Sequence, residues 1–178
     1  MTTAPITVGD LQAAIRNVPD FPKLGIQFKD ITPMLADARL FAASIDLLTA
    51  GLEPGSVDAV VGIDARGFIF ASAAAVKLRA GFVPVRKQGK LPYQTIEQTY
   101  DLEYGTSTVA IHVDALKPGA RVLLIDDLLA TGGTAAAAAE LVRKVGGHIL
   151  QVSFLIELSF LNGRDKLKGC LVRSLITY

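Results

Sequence analysis

Residues 121–145, RVLLIDDLLATGGTAAAAAELVRKV, decide the fold. The stretch opens on an apolar, β-rich run (RVLLI, 121–125), meets two adjacent acids, and passes through ATGGT at 130–134. It closes on an alanine-rich run that reads as a helix bounded by Gly146 and Gly147. The order is strand, loop, helix, with Asp126 and Asp127 at the strand's carboxyl end and the small residues at the helix start. A loop without bulky side chains lets several backbone N–H groups converge on one anion. The helix dipole adds favourable potential there, and Thr131 and Thr134 add hydroxyl donors. The two acids repel a phosphate, so they suit a ligand that also carries hydroxyl donors, as a ribose 5-phosphate does, or a Mg²⁺ that needs hard oxygen.

Working outward, DAVVGI (58–63), GFVPV (81–85) and HILQVSFLI (148–156) are further β-rich runs, and GFIFASAAAVKLRA (67–80) reads as a helix. Strand alternating with helix predicts an α/β fold: a mostly parallel central sheet flanked by helices, with ligands beyond the carboxyl ends of the strands. Upstream, Thr7 and Asp10 can cap a short helix through about Arg16, and a second helix is expected over Ala38–Ala50, ending at Gly51. PDFPKLGIQFKDITP (19–33) between them reads as a proline-punctuated irregular segment. The polar stretch RKQGKLPYQTIEQTYDLEYG (86–105) breaks the pattern and ends in a possible short strand. A long polar excursion inside a compact domain is usually a lid or binding loop.

The 178 residues suit one domain, which at this size buries roughly 70% of the surface of its unfolded chain. Lys plus Arg is 18 against 17 for Asp plus Glu, a balance that argues against a broad electrostatic grip on nucleic acid or membrane. Cys170, the one cysteine, excludes an internal disulfide framework and a multi-cysteine zinc site, and fits a reducing cytosol. The opening MTTAPITVGD lacks the basic stretch and apolar core of a secretory signal, so a cytoplasmic location is expected. At 51%, the apolar content points to a generous core or a subunit interface.

Competing readings of the central motif are weighed on the same residues. The apolar strand ending in two acids also suits the Mg²⁺ strand of a P-loop ATPase, but the chain has no G-x-x-x-x-G-K-[ST]. No strand is followed by G-x-G-x-x-G, so a dinucleotide fingerprint fails. An ordinary glycine turn, with acids favouring a helix N-terminus, remains as the bland alternative. In GIDARGF (62–68), Arg66 has the planar fork that suits paired phosphate oxygens, or else it is solvated beside a helix capped by Asp64. Arg86, Lys87 and Lys90 are either a cationic cover for an anionic leaving group or a solvated charge run. Phe28 either stacks on a ligand ring or belongs to the core. His112, His148 and Cys170 lack metal-ligand spacing, and the two histidines read as structural.

FPKLGIQFKDITP, GIDARGF, RKQGKLP, LEYG and DDLLATGGT occur in this order over nearly the whole chain, which resembles the type I phosphoribosyltransferases and, among them, the adenine branch. The resemblance implies a single phosphoribosyltransferase domain (1–178) with a small N-terminal hood (about 1–36) and a lid (about 86–100). It implies transfer of the 5-phosphoribosyl group from phosphoribosyl pyrophosphate to adenine, giving AMP and pyrophosphate. Asp126 and Asp127 would hold the ribose hydroxyls, and Ala130, Thr131, Gly132, Gly133 and Thr134 the 5-phosphate. Asp64, Ala65, Arg66, Arg86, Lys87 and Lys90 would attend the pyrophosphate, with a cis peptide between Asp64 and Ala65. Gln27, Phe28 and Lys29 would form the adenine pocket, and Glu103 would handle the purine proton.

Lys29 stands where many relatives have arginine, so recognition there falls to the backbone. Ala130 stands where hypoxanthine and guanine enzymes usually carry aspartate, which leaves a xanthine enzyme as an alternative. A regulator that senses phosphoribosyl pyrophosphate without turnover is the alternative of another class. Mg²⁺ is expected on substrate oxygens and water without a protein cage, and a homodimer is expected as in the family.

Overall fold

The computed structural model describes residues 4–101 and 105–178, which fall into two compact units divided between Leu47 and Leu48. Glu103 therefore lies outside the described residues.

In the first unit, α1 (Val8–Ala13) starts on a reciprocal cap: the Asp10 amide donates to Thr7 Oγ1 and the Thr7 amide to Asp10 Oδ2 at 2.8 Å. The helix stops short of Arg16 because Arg16 opens β1 (Arg16–Pro19), which pairs antiparallel with β2 (Gln27–Asp30), Arg16 opposite Asp30. The segment expected to be irregular thus holds a strand, followed by α2 (Thr32–Ala36) with Pro33 in its first turn, where a missing N–H costs nothing. α3 (Ala38–Leu48) matches the second predicted helix, and Gly51 just beyond it takes a left-handed φ of 85°.

The second unit is built on a seven-stranded sheet. Its strands are β3 (Ala59–Ile63), β4 (Gly81–Lys87), β5 (Thr95–Asp101), β6 (Thr106–His112), β7 (Arg121–Leu129), β8 (His148–Glu157) and β9 (Val172–Thr177), in the spatial order β5-β6-β4-β3-β7-β8-β9. The pairs from β4 through β3, β7 and β8 to β9 are parallel, while β6 runs antiparallel to β4 and β5. Most of the expected lid is therefore sheet: Arg86 and Lys87 pair with Ala110 and Val109, and residues 95–101 pair along their whole length with β6. Only 88–94 connects the two strands. Polar alternation in TIEQTYD is the pattern of a strand with one wet face, and it hid this strand among charged neighbours.

α4 (Gly67–Leu78) crosses from β3 to β4, and α5 (Gly133–Lys144) from β7 to β8. The two crossovers move in opposite directions along the sheet, so right-handed connections put the helices on opposite faces. The side chains agree. Val61, Ile63, Val122 and Leu124 share a core with Ala135, Ala138 and Leu141 of α5, whereas a Cβ on Gly62 would lie 2.7 Å from that of Ala71 in α4. The alanine run at 135–139 is a close-packing surface. With no branches, α5 settles near the sheet, and Ala138 and Ala139 are at most 1% exposed.

At the amino end of the sheet, Asp58 and Arg121 clasp the starts of β3 and β7. The Arg121 amide, Nε and Nη2 all donate to the Asp58 carboxylate at 2.7–3.1 Å, and Nη2 also reaches the Gly55 carbonyl. These bonds hold the Asp58 carboxyl down at about 2, against 3.8 ordinarily. A depressed folded pKa contributes stability that is present above the unfolded value and is lost as pH falls through the folded one. Urea unfolding followed from pH 5 to pH 2 should therefore show Asp58→Asn less stable at the upper end and converging on the parent near pH 2. A constant difference across the range would contradict this role.

Candidate functional site

The site forms where the chain reverses its direction along the sheet. β4 lies on one side of β3 and β7 on the other, so the loops leaving β3 and β7 diverge and leave a crevice at the strands' carboxyl ends. β3 pairs with β7 only as far as Gly62 opposite Ile125, whereas β7 continues beside β8 to Leu129. Asp126 and Asp127 therefore lie within β7, past the point where β3 has left it.

Asp127 is 6% exposed, and its Oδ2 lies 2.8 Å from Arg66 Nε. The Asp127 amide donates to Asp126 Oδ1 at 2.9 Å. Burial, then the charge of Asp127, pushes the Asp126 carboxyl well above the usual carboxylate range. Burial also raises Asp127, and the Arg66 guanidinium pulls it partly back. Two adjacent carboxyls in an apolar strand thus resist full ionisation until donors or cations arrive.

After β7 the chain turns through Ala130 and Thr131 into α5, with Gly132 as the N-cap at φ 77°. A glycine cap supplies no side-chain acceptor, so the first-turn amides of α5 are not closed off by a side chain. Residues 128–135 together with Asp126 line a cavity of about 70 Å³. That is room for several water-sized groups, and five of its nine lining residues are Ala, Gly or Thr of the loop 130–134, the scale and chemistry of an oxyanion site.

β5 closes this loop from the side: Thr134 Oγ1 donates to the Tyr100 hydroxyl at 2.9 Å, and a Cβ on Gly133 would sit 3.0 Å from the Tyr100 ring. Gly67 plays a matching part on the other side, since a Cβ there would come within 2.7 Å of Asp126 Oδ1. Neither residue was singled out in the sequence. Gly67 carried a signal as the residue directly after Arg66, and Tyr100 as the last inward position of TIEQTYD.

The structure also gathers the residues expected to meet pyrophosphate. The Asp64–Ala65 peptide is cis, as the resemblance implies, and Arg66 follows it at the start of α4. Arg86 Nε donates to Asp64 Oδ2 at 3.2 Å, and its Nη1 to the Lys90 carbonyl at 3.0 Å. Asp64 and Arg66 follow β3, Arg86 lies near the end of β4, and Asp126 and Asp127 lie where β7 has outrun its pairing with β3, while Lys87 and Lys90 are exposed. Gln27, Phe28 and Lys29 belong to the first unit, on β2. There Gln27 Oε1 accepts from Asn17 Nδ2 at 2.8 Å, and the partly buried Phe28 ring meets Phe21 edge-on at 5.1 Å. His112 packs against Tyr93 at 6.2 Å between ring centroids, and among the described residues no three His, Cys, Asp or Glu side chains are grouped so as to hold a metal ion.

Comparison with known proteins matches this architecture to a single family. A model of the phosphoribosyl transferase domain covers residues 27–165. The adenine phosphoribosyltransferase of Acidothermus cellulolyticus is 57% identical over 173 residues, 97% of this chain and 98% of that protein. The crystal structure of adenine phosphoribosyltransferase from Thermoanaerobacter pseudethanolicus superposes with a TM-score of 0.91 at 48% identity, over 97% of this chain and 100% of that one. The Saccharomyces cerevisiae enzyme, solved with an imino-altritol bisphosphate and adenine, gives 0.87 at 38% identity over 94% and 97%. With identity at this level along its whole length, the chain belongs to the adenine phosphoribosyltransferase family.

Proposed function

We propose that this enzyme transfers the 5-phosphoribosyl group of phosphoribosyl pyrophosphate to adenine, releasing AMP and pyrophosphate in purine salvage, and that the residues gathered at the carboxyl ends of β3, β4 and β7 carry the reaction. The observation that carries the reading is the juxtaposition of a glycine-capped helix start without bulky side chains with two adjacent carboxyls. One substrate needs both: a phosphate for the amides of residues 131–134, and sugar hydroxyls for Asp126 and Asp127.

In this reading the Ala130–Thr134 backbone fixes the 5-phosphate, and the two acids accept hydrogen bonds from the ribose hydroxyls. Arg66, the Asp64–Ala65 peptide, Arg86, Lys87 and Lys90 meet the pyrophosphate, whose negative charge grows as its bond to the sugar lengthens. Catalysis then rests on positioning and electrostatic stabilisation more than covalent chemistry. Gln27, Phe28 and Lys29 bind adenine, through backbone groups where Lys29 replaces the commoner arginine. Glu103 exchanges a proton with the purine, an assignment carried by LEYG and the resemblance alone.

The acid pair also suits Mg²⁺ through its hard oxygens, since a nearby cation favours the ionised form that burial opposes. The ion would be held mainly by substrate oxygens and water, and when bound it would neutralise departing pyrophosphate. Exposed Ile69, Val76 and Phe82 on α4 and β4, with Val76 81% exposed, support a homodimer as the working form; a sedimentation mass of one chain would contradict it. The reducing environment that suits a lone cysteine, and the lack of any described helix long and apolar enough to cross a membrane, support a cytoplasmic site of action.

Turnover measured with adenine, hypoxanthine, guanine and xanthine, each with phosphoribosyl pyrophosphate and Mg²⁺, should show adenine strongly preferred. A preference for xanthine would overturn the assignment, and binding without turnover of any purine would favour a sensor. In the same assay Glu103→Ala should lower kcat about a hundredfold with little change in phosphoribosyl pyrophosphate affinity, whereas Asp127→Ala should weaken that affinity at least about tenfold; equal loss of both in Glu103→Ala would contradict a proton role. Sugar hydroxyls and a cation favour the ionised acid pair, so binding should release a proton and affinity should rise with pH through the raised pKa of Asp126. Calorimetry in two buffers of different ionisation enthalpy should detect that proton in the parent and not in Asp126→Asn; no buffer dependence in either would contradict the coupling.

A further inference from the structure

The one-turn segment after β8 presses on the loop that precedes α5. A Cβ built on Gly132 would overlap the Gly163 carbonyl oxygen, and one built on Gly163 would overlap the Ala130 carbonyl oxygen and come within 3.0 Å of the Gly132 nitrogen. Two glycines 31 residues apart therefore pack backbone to backbone, with no side chain between them.

The segment is itself held firmly. Asn162 takes a left-handed φ of 52° between two short 3₁₀ turns, Ser159–Leu161 and Gly163–Lys166. Arg164 then clamps the turn to β8 and to the edge strand β9. Its Nε and Nη2 donate to the two oxygens of Glu157 in β8 at 2.7 and 2.6 Å, its Nη1 to the Val172 carbonyl of β9 at 3.0 Å, and its Nη2 also to Ser174 Oγ at 3.2 Å. Glu157 is buried while the Arg164 side chain stays half-exposed, and the paired, charge-assisted geometry fixes the arginine's orientation. An arginine spanning two strands is a large investment for a surface turn, and what it holds in place is the glycine against Ala130 and Gly132.

We infer that Gly163 and Arg164 are positioning residues for the phosphate loop: the clamped turn sets the path of Ala130–Gly132 and thereby aims the first amides of α5 at the 5-phosphate of the sugar substrate. The inference rests on the assignment of that loop to the phosphate. It predicts a selective effect, because Gly163 meets Leu129, Ala130 and Gly132 and Arg164 bonds to β8 and β9, whereas the residues assigned to pyrophosphate belong to β3, β4 and the segments that follow them, on the far side of β7.

Isothermal titration with ribose 5-phosphate and, separately, with pyrophosphate plus Mg²⁺ tests it. Thr131→Glu, which puts a carboxylate in the loop, checks the assignment beneath it: ribose 5-phosphate binding should vanish, and unchanged binding would overturn the loop assignment and the inference with it. Given that result, Gly163→Ala should weaken ribose 5-phosphate by about tenfold or more while pyrophosphate stays within about twofold. Unchanged ribose 5-phosphate affinity, or equal loss for both ligands with a lowered Tm, would overturn the inference and leave the loop assignment standing. Should Gly163→Ala fail to fold, Arg164→Lys keeps the charge but not the paired bonds, and should show the same selective loss at about threefold; a loss shared by both ligands would count against the inference in the same way.

Discussion

The contact on which the carboxyl end of this sheet depends is the one between Arg66 and Asp127, 2.8 Å apart, with Asp126 directly beside them. Two adjacent carboxyls in an apolar strand are expensive unless something shares their charge. Arg66 meets Asp127 directly and reaches Asp126 only through its charge, so burial and the neighbouring Asp127 still push the Asp126 carboxyl well above its ordinary range. Gly67 lets the start of α4 come close enough for this, since any side chain there would strike the Asp126 carboxylate. The cis peptide, the arginine and the glycine of GIDARGF are thus parts of one local fit around the acid pair.

The same economy of side chains governs the loop that follows. Gly132 caps α5 without a side-chain acceptor, Gly133 lies against Tyr100, and Gly132 and Gly163 meet backbone to backbone. Each omission brings backbone close to backbone or leaves an amide open. Such a loop is shaped by its neighbours more than by its own residues, which is why β5 on one side and the clamped turn after β8 on the other bear on what it can hold.

Local pattern was enough for much of this. The four apolar runs became four of the five parallel strands, β9 being the one they did not include; the two alanine-rich stretches became α4 and α5, and Thr7 with Asp10 formed the cap that their spacing suggested. Asp64, Arg66, Asp126 and Asp127 were readable as a group because each follows an apolar strand and the α/β rule sends such positions to one edge. What escaped was information carried by partners distant in sequence. β5 is polar on one face and declares itself only by pairing with β6, whose apolar part is just Val109–Ile111. Tyr100 matters through Thr134, 34 residues away, and Gly163 through Ala130. The extent of β7 was also missed: charged residues read as the end of a strand, yet β8 continues alongside and carries the ladder on to Leu129.

A crystal structure with ribose 5-phosphate and Mg²⁺ bound tests the central claim most directly. The account predicts phosphate oxygens within hydrogen-bond distance of the amides of residues 131–134, and the ribose 2- and 3-hydroxyls on the Asp126 and Asp127 carboxylates. A phosphate seated elsewhere, or a sugar ring turned away from the acid pair, would contradict it.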